Sequence, residues 1–440
     1  MKKLLIILSF ILLLVSTSFS QDEFSMATDF LGLLLEGKYV EATEFFDDSI
    51  KPLVPPEKLK EIWEGLLQQV GEFEGIVSVR DERSGIYRIV YVTSEFALSP
   101  IDIDIELVFT NMKIVGLFFQ PAPPRKSYNP PSYVDPTSFE EKDVKIGKGD
   151  FILPGKLVIP KGEGPFPIVI LVHGSGPNDM DESIGPNKPF RDLSWGLASL
   201  GIASLRYDKR TKVYPEKFSQ YKDGFTVMEE VIEDVLNAVE FVKNEEKIDK
   251  SRIFVLGHSL GGMLAPRIAS LSKDVKGIII MAGPTRSLED LMWEQSNYLA
   301  NLDGKITEDE EKELSSLKSE IEKIKGPDLS KKYALGENIL GAPVKYWLDL
   351  KSYNPVETAK SLEIPILILQ GERDYQVTLK DLEGWEDGLS DKENVEFKRY
   401  PKLNHLFIEG EGKSDPAEYY KEGHIPEYVI KDIGEWIISF

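Results

Sequence analysis

Residues 253–264 of this 440-residue chain read Ile-Phe-Val-Leu-Gly-His-Ser-Leu-Gly-Gly-Met-Leu, and this stretch decides how the rest is interpreted. An apolar run ends at Gly257, Ser259 follows, and helix-compatible sequence begins at Leu260. The order G-x-S-x-G between a buried strand and a helix is typical of a tight turn that holds the serine side chain away from the backbone. The turn also directs the free N–H groups of the helix N-terminus toward whatever the serine contacts. Glycines at 257 and 261 leave room for such a turn.

The composition describes a globular protein without thiol chemistry. Apolar residues make up 42% of the chain and charged residues 29%, which is ordinary for a folded domain. Because cysteine is absent, disulfides, thiolate metal sites and a cysteine nucleophile are excluded. A formal net charge of −22 would repel nucleic acid and anionic membranes. We therefore expect a neutral or small substrate rather than a polyanionic one, and no nucleic-acid partner. Abundant Lys and Glu without Cys also indicate a thermophile.

The first twenty residues predict an export signal. Lys2 and Lys3 precede an apolar run from Leu4 to Val15, and Ser20 precedes Gln21. The run is too short for a membrane span, which needs about 20 apolar residues. We therefore predict a secretory signal peptide over residues 1–20, cleaved after Ser20, rather than a membrane anchor. The mature protein is expected to be exported, with no membrane attachment.

A small α+β domain is predicted over residues 21–120. Apolar residues between Leu59 and Val70 recur at helical spacing, and those between Ile101 and Leu107 alternate with acidic residues as in a half-buried strand. Residues 121–136 form a proline-rich linker. The domain shows no chemistry of its own, so we expect an accessory or dimerisation role, and a homo-oligomer stays open.

Residues 137–440 predict an α/β domain. Its apolar runs are short, nearly continuous and separated by helical sequence, which favours a mostly parallel sheet with helices on both faces. These runs are Pro167–Val172, Ile202–Leu205, Ile253–Leu256, Val275–Met281 and Ile364–Leu369.

Two segments of this domain differ from that alternation. Residues 151–159 are predicted to form a strand pair with an early turn. From about 285 to 360 the sequence is helix-like throughout, with a capping box at Thr307-x-x-Glu310. We predict that this insertion is a helical cap over one end of the sheet.

A serine nucleophile needs a base within hydrogen-bond reach, and the chain has only four histidines. His258 lies inside the serine turn and is expected to point away from Ser259. His173 belongs to a His-Gly turn after an apolar strand. His424 lies in polar surroundings and is the weaker candidate. His405 follows the predicted strand over residues 395–399, so it emerges at the same sheet end as the serine, and we predict that it is the base.

The base needs a carboxylate to orient it, and the position along the chain selects one. The apolar strand that begins at Ile364 ends at Gly371, and Asp374 follows at its carboxyl end. Asp374 is our prediction, with Glu372 as the alternative. A turn or helix-capping role for Asp374 is the other interpretation.

The chain order Ser259, Asp374, His405 is that of the α/β-hydrolases, and residues from about 140 onward resemble this family. The resemblance includes Phe166–Pro177 as oxyanion strand and loop, and the serine turn itself. Within this family the chain resembles secreted carboxylesterases with a helical cap and a small N-terminal domain. It implies an oxyanion hole made by the backbone N–H groups of Leu260 and Ser175. In the loop that carries Ser175, this chain has one glycine after His173-Gly174-Ser175 where some esterases have a run of three glycines.

The predicted function is a serine hydrolase that cleaves carboxylic esters of short to medium acyl chains, without metal or organic cofactor. A peptidase, thioesterase or sugar-ester deacetylase of the same fold is the alternative, and a non-catalytic binding protein is a further one. Aromatic and apolar cap residues would either line an acyl pocket or pack the core of the cap. These residues are Met292, Trp293, Tyr346, Trp347 and Tyr353.

Overall fold

The structure, a computed structural model, describes residues 23–84, 86–123, 128–218, 220–302 and 304–440. The predicted signal peptide lies outside the described residues, as does part of the predicted linker. Within the described ranges, no helix is both long and apolar enough to cross a membrane.

The N-terminal domain packs three helices against a four-stranded antiparallel sheet. Its elements are α1 (Glu23–Glu36), α2 (Tyr39–Thr43), α3 (Pro56–Val70), β1 (Phe73–Ser84), β2 (Tyr87–Phe96), β3 (Ile103–Thr110) and β4 (Lys113–Pro121). The strands lie in the order β1-β2-β3-β4, which leaves β1 at an edge. Leu59 and Trp63 of α3 are buried, as the helical spacing predicts. Asp104 departs from the predicted alternation: it is buried and paired with Arg80, whose Nη1 lies 2.9 Å from Asp104 Oδ1.

The second domain is built on an eight-stranded sheet. Its strands are β5 (Phe139–Lys148), β6 (Phe151–Pro160), β7 (Phe166–Val172), β8 (Ala203–Tyr207), β9 (Ile248–His258), β10 (Val275–Met281), β13 (Ile366–Gly371) and β14 (Val395–Tyr400), with a small separate ladder of β11 (Asn338–Ile339) and β12 (Ala342–Pro343). The order across the sheet is β14-β13-β10-β9-β7-β8-β6-β5. All neighbours from β14 to β8 are parallel, whereas β6 and β5 are antiparallel additions at one edge.

The predicted strand pair within residues 151–159 is wrong. That segment is the single strand β6, and its hairpin partner is β5. β5 escaped prediction because it is an edge strand rich in Glu and Lys, in which Phe139 and Ile146 are the only buried residues and lie seven positions apart, so no apolar period appears.

Helices cover both faces of this sheet. They are α4 (Pro189–Ser199), α5 (Arg210–Val213), α6 (Pro215–Phe218), a π-helical turn (Met228–Ile232), α7 (Glu233–Val242), α8 (Leu260–Leu271), α14 (Leu379–Leu389), a 3₁₀ turn (Pro416–Tyr420) and α15 (Glu427–Ile438). Successive strand residues enter opposite cores: Ile168 and Ile170 pack in one apolar cluster, Val169 and Leu171 in the other. Because both faces of the sheet are covered, nearly every strand residue is apolar, and the strands appear in the sequence as continuous apolar runs. The predicted α/β-hydrolase architecture is confirmed.

The segment between β10 and β13 is mainly helical. It contains α9 (Leu288–Ala300), α10 (Glu308–Lys325), α11 (Leu329–Lys332), α12 (Val344–Lys351) and α13 (Pro355–Lys360). The capping box is present: Thr307 Oγ1 accepts from Glu310 N at 3.3 Å, and Glu310 Oε2 accepts from Thr307 N at 2.6 Å. Both orphan N–H groups at the start of α10 are thereby satisfied.

Candidate active site

Ser259 sits in the strained turn that its sequence context predicts. It lies between the last residue of β9 and the first of α8, with φ 53° and ψ −117°, a conformation that non-glycine residues adopt only when the surroundings enforce it. Its N–H donates to Met281 O at 2.9 Å. A Cβ at Gly257 would lie 2.1 Å from Gly261 O, and one at Gly261 would lie 2.3 Å from Val172 O. Both glycines are therefore required by close backbone packing.

Asp374 and His405 form a buried pair at the same end of the sheet. Asp374 Oδ2 lies 2.7 Å from His405 Nδ1. Because an ionised carboxylate can only accept, His405 Nδ1 carries the proton and Nε2 remains available as a base. The other oxygen, Asp374 Oδ1, accepts from the N–H groups of Gln376 at 2.8 Å and Val377 at 2.9 Å. These bonds fix the carboxylate, and through it the orientation of the imidazole.

The alternative residues lie elsewhere. Glu372 is exposed. His424 Nδ1 lies 3.0 Å from Asp192 Oδ1, and His424 is not among the described residues that line the cavity around Ser259. His173 is buried with Nε2 2.9 Å from Asp179 O, and burial lowers the pKa of its imidazole to about 4, so it stays neutral.

The expected oxyanion donors flank the serine. Leu260 is the first residue of α8, so its N–H is one of the groups that a helix leaves without an internal partner. Ser175 lines the same cavity as Ser259 and His405. The loop carrying Ser175 packs directly on the serine, since a Cβ at Gly174 would lie 3.1 Å from Ser259 Cβ.

Two buried charged residues, Lys209 and Glu182, bind the backbone of the loop that carries Ser175. Sequence reasoning assigned this role to neither residue. Lys209 Nζ donates to Gly174 O at 2.8 Å and to Glu230 Oε1 at 2.6 Å. Glu182 Oε1 accepts from Gly174 N at 2.6 Å. Lys209 follows the end of the buried strand β8 by two residues, and a lysine at such a position was the available signal.

His258 was expected to point away from Ser259, but it lines the same cavity. Its ring centroid lies 4.7 Å from that of His405, and its Nε2 lies 2.9 Å from His405 O. Its Nδ1 lies 3.0 Å from Glu182 Oε2. At this distance the two side chains attract each other electrostatically when the imidazole is protonated. Burial lowers the pKa of His258, but the Glu182 carboxylate offsets this and the pKa lies above its usual value.

The cavity that contains Ser259 and His405 has a volume of about 730 Å³, within the range of small-molecule sites. Of the cap residues predicted for an acyl pocket, Met292, Tyr346 and Trp347 line it. Trp293 and Tyr353 are not among its described lining residues. Trp293 lies beneath Lys318, whose Nζ is 6.0 Å from the ring centroid, and Tyr353 OH donates to Met263 O at 2.8 Å.

Metal ligands are not gathered at this site. Within the described part of the chain, no group of three or more His, Cys, Asp or Glu side chains is arranged to hold a metal ion. The chemistry available is that of a serine hydroxyl, an imidazole oriented by a carboxylate, and backbone N–H groups.

A strained serine turn, a carboxylate–imidazole pair and a mostly parallel sheet define the class of α/β-hydrolases. The chain belongs to the family described as serine aminopeptidase, S33, whose profile matches residues 165–412. It is 43% identical over 430 residues to esterase EstD of Thermotoga maritima, with 98% of both chains covered. Residues 27–117 match a family described only as protein of unknown function, DUF3887.

The solved structures to which the chain is similar include two esterases. The Pyrococcus furiosus esterase PF2001 is 20% identical, with a TM-score of 0.44 over 72% of this chain and 98% of that one. An esterase of Pyrobaculum calidifontis is 17% identical, with a TM-score of 0.44 over 68% of this chain and 85% of the other.

Proposed function

We propose that this hydrolase is a carboxylesterase in which Ser259 is the nucleophile, His405 the base and Asp374 the residue that orients the base. The observation that carries the proposal is the 2.7 Å contact between His405 Nδ1 and Asp374 Oδ2 in the cavity that Ser259 also lines. The identity to esterase EstD supports ester hydrolysis as the reaction.

In the proposed mechanism, His405 Nε2 removes the proton from Ser259 as its oxygen attacks the ester carbonyl. The N–H groups of Leu260 and Ser175 stabilise the tetrahedral oxyanion, and each such donor is worth roughly 3–4 kcal/mol of barrier. His405 then protonates the departing alcohol. A water molecule that His405 activates hydrolyses the acyl-enzyme and regenerates Ser259. Neither half-reaction calls for a metal or an organic cofactor.

The experiment is a panel of esters, thioesters and peptide 4-nitroanilides assayed on the purified protein, with Ser259→Ala and His405→Ala as blanks. Loss of either residue is expected to lower kcat by roughly 10⁴–10⁶-fold. A fluorophosphonate probe is expected to label the wild type and not Ser259→Ala. Absence of labelling in the wild type contradicts the serine mechanism and favours a binding protein.

Aminopeptidase activity is the second candidate, because it is the activity named in the family description. A free peptide N-terminus carries an ammonium group, and the cavity is lined by several carboxylates, among them Glu74 and Asp415. Turnover of amino-acyl 4-nitroanilides with kcat/KM above that of the best ester would replace the esterase proposal by this one.

We propose that Met292, Tyr346 and Trp347 form the acyl side of the cavity. Trp347 is buried and its Nε1 donates to Ile339 O at 2.8 Å, which holds the ring in place. Trp347→Leu is expected to shift the preferred acyl chain by two or more carbons in a p-nitrophenyl ester series, since removing a ring lengthens the pocket. Trp293→Leu is the matched control, because Trp293 lies outside the described cavity lining. An unchanged preference in Trp347→Leu contradicts the pocket.

We also propose that the protein is exported after cleavage between Ser20 and Gln21. Expression of the full chain in a bacterial host, followed by N-terminal sequencing of the exported fraction, tests this proposal. A mature product that begins at Gln21 supports it, and retention of the intact chain inside the cell contradicts it.

A further inference from the structure

The N-terminal domain borders the cavity that contains Ser259. Residues of α1 and β1 line this cavity together with Gly174, Ser175, Ser259 and His405. The domain therefore forms part of the wall of the cavity that contains Ser259. Nothing in its sequence pattern indicated this, because α1 is distant from the serine turn along the chain.

One face of α1 is turned toward the cavity. Ser25, Thr28, Asp29, Gly32 and Glu36 line it, and their spacing of three, one, three and four residues defines one helical face. Leu31, Leu33 and Leu35 of the same helix also border the cavity. Another face of α1 forms the core of the N-terminal domain through Phe24, Ala27, Phe30 and Leu34. The helix thus packs in its own domain while presenting mainly small and acidic side chains to the cavity.

The second contribution comes from the sheet edge. Residues 73–77 at the start of β1 line the cavity, and β1 is the edge strand of its sheet. The pairing of β1 with β2 shifts register between Phe73 and Gly75 and again between Ile76 and Ser78. Such irregularities bend a strand locally and redirect its side chains.

Contacts on both sides of the junction hold the domain in this position. Tyr420, from the 3₁₀ turn of the hydrolase domain, is buried in the core of the N-terminal domain, and Lys421 Nζ lies 5.2 Å from the ring centroid of Phe24. Lys38 Nζ lies 3.1 Å from Glu313 Oε1 in the cap. Asn187 Nδ2 donates to Tyr419 O at 2.6 Å and to Lys421 O at 3.0 Å. The loop after β7 therefore anchors the segment on which the N-terminal domain rests.

The charge of the cavity is strongly negative. Its described lining contains two lysines, Lys188 and Lys212, and seven carboxylates: Asp29, Glu36, Glu74, Glu95, Asp179, Glu182 and Asp415. Four of the carboxylates belong to the N-terminal domain. Glu182 is already paired with His258, and Glu36 with Lys38 at 2.8 Å. The lining as a whole contains more carboxylates than lysines, and this negative charge disfavours an anionic group of a substrate in the cavity.

We propose that the N-terminal domain is the distal wall of the substrate site and that it selects extended esters whose portion remote from the scissile bond is uncharged or cationic. The proposal rests on the esterase function proposed above. It assigns part of the substrate specificity to α1 and to residues 73–77.

The charge test uses two esters of equal length, neutral p-nitrophenyl octanoate and the anionic p-nitrophenyl monoester of suberic acid. The wild type is expected to favour the neutral ester in kcat/KM. Glu74→Lys is expected to lower that preference roughly three- to tenfold, as removing a repulsive charge near a ligand and adding an attractive one should do. Added salt should reduce the effect. The matched control is Glu64→Lys, the same charge change on the exposed side of α3 outside the described lining, and its preference should equal that of the wild type.

The size test compares p-nitrophenyl decanoate with p-nitrophenyl acetate. Thr28→Trp places an indole on the cavity face of α1, and the decanoate-to-acetate ratio of kcat/KM is expected to fall at least tenfold. Val40→Trp, at a position 64% exposed on α2, is the control and should keep the wild-type ratio. Fluorophosphonate labelling of Ser259 in each variant shows that the reaction centre is intact.

The outcomes separate this inference from the proposed function. If Glu74→Lys and Thr28→Trp label normally but keep the wild-type ratios, the N-terminal wall takes no part in selection and the inference is wrong, while the esterase stands. If the wild type neither labels nor cleaves any ester, the esterase proposal fails and this inference fails with it.

Discussion

Glu182 Oε2 lies 3.0 Å from His258 Nδ1, and each of these two buried residues also binds the backbone of a loop to which we assign a catalytic role. Glu182 Oε1 accepts from Gly174 N at 2.6 Å, and His258 Nε2 lies 2.9 Å from His405 O. The Glu182–His258 contact thus connects the loop expected to bind the oxyanion with the loop that carries the proposed base. Glu182 has φ 51°, a left-handed conformation that costs a non-glycine residue free energy and is retained here by these contacts.

The first prediction concerns the coupling within this pair. Glu182→Gln and His258→Gln are each expected to lower the free energy of unfolding by about 3 kcal/mol, since each leaves the partner buried without its counter-charge. The double variant should cost clearly less than the sum of the two. Each single variant should also lower kcat roughly 10- to 100-fold, because both catalytic loops lose an anchor. Urea unfolding and steady-state kinetics provide the measurements, and additive unfolding energies would mean that the residues act independently.

The second prediction is the pH dependence of this stabilisation. Burial lowers the pKa of His258 and the Glu182 carboxylate raises it, and the net pKa lies above the usual 6.5. Its contribution is therefore complete below pH 6.5 and is lost as the pH rises through the raised value. The pKa of Glu182 lies below its usual 4.5, because His258 and the Gly174 N–H outweigh burial. Its contribution is complete above pH 4.5 and is lost as the pH falls through the lowered value.

The pair should therefore stabilise the fold most between pH 4.5 and pH 6.5. The difference in unfolding free energy between the wild type and His258→Gln is expected to be largest in this window and to shrink toward alkaline pH. Urea titrations across the pH range measure it. A difference that grows with pH would show that His258 is held neutral.

The third prediction concerns the orienting carboxylate. Asp374→Asn replaces the acceptor facing His405 Nδ1, so the imidazole is expected to adopt the tautomer whose Nε2 carries the proton and cannot act as a base. We expect kcat to fall roughly 10³–10⁴-fold with little change in melting temperature. Glu372→Gln is the matched control, because Glu372 is exposed only two residues away, and its kcat should equal that of the wild type. Comparable losses in both variants would exclude a specific role for Asp374.

The fourth prediction concerns the loop that packs on the serine. A Cβ at Gly174 would lie 3.1 Å from Ser259 Cβ and 3.3 Å from Glu182 Oε1, so Gly174→Ala should displace the nucleophile and lower kcat about 10- to 100-fold. Gly65→Ala is the control, since a Cβ there meets nothing within 4 Å. It should leave kcat unchanged and raise the free energy of unfolding by about 0.5–1 kcal/mol, because alanine is the better helix former. If kcat of Gly174→Ala equals that of the wild type, the loop can move away from Ser259 without disturbing the reaction, and the prediction is wrong.

Local sequence patterns were sufficient to predict most strands of the parallel sheet in the hydrolase domain and the turn that carries Ser259. The apolar runs of β7, β9, β10 and β13 identified a sheet buried on both faces, because the residues on both faces of such strands are apolar and no alternation with polar residues appears. The segment around Ser259 predicted its turn, since G-x-S-x-G between a strand and a helix has few other conformations. β5 was missed because an exposed edge strand carries charges that obscure its period.

The sequence alone also supplied candidate residues in the right chain order, because parallel strands end at one edge of a sheet and their following loops meet there. It could not supply the contacts that depend on three-dimensional packing. The pairing of Glu182 with His258 joins residues whose side chains carry no periodic signal, and a buried carboxylate looks like any other acidic residue in a chain so rich in them. The position of α1 beside the reaction cavity was likewise decided by how Tyr420 and Asn187 join two domains. Local sequence determines secondary structure and turns through short-range sterics, whereas the walls of the cavity follow from long-range packing that only the tertiary structure fixes.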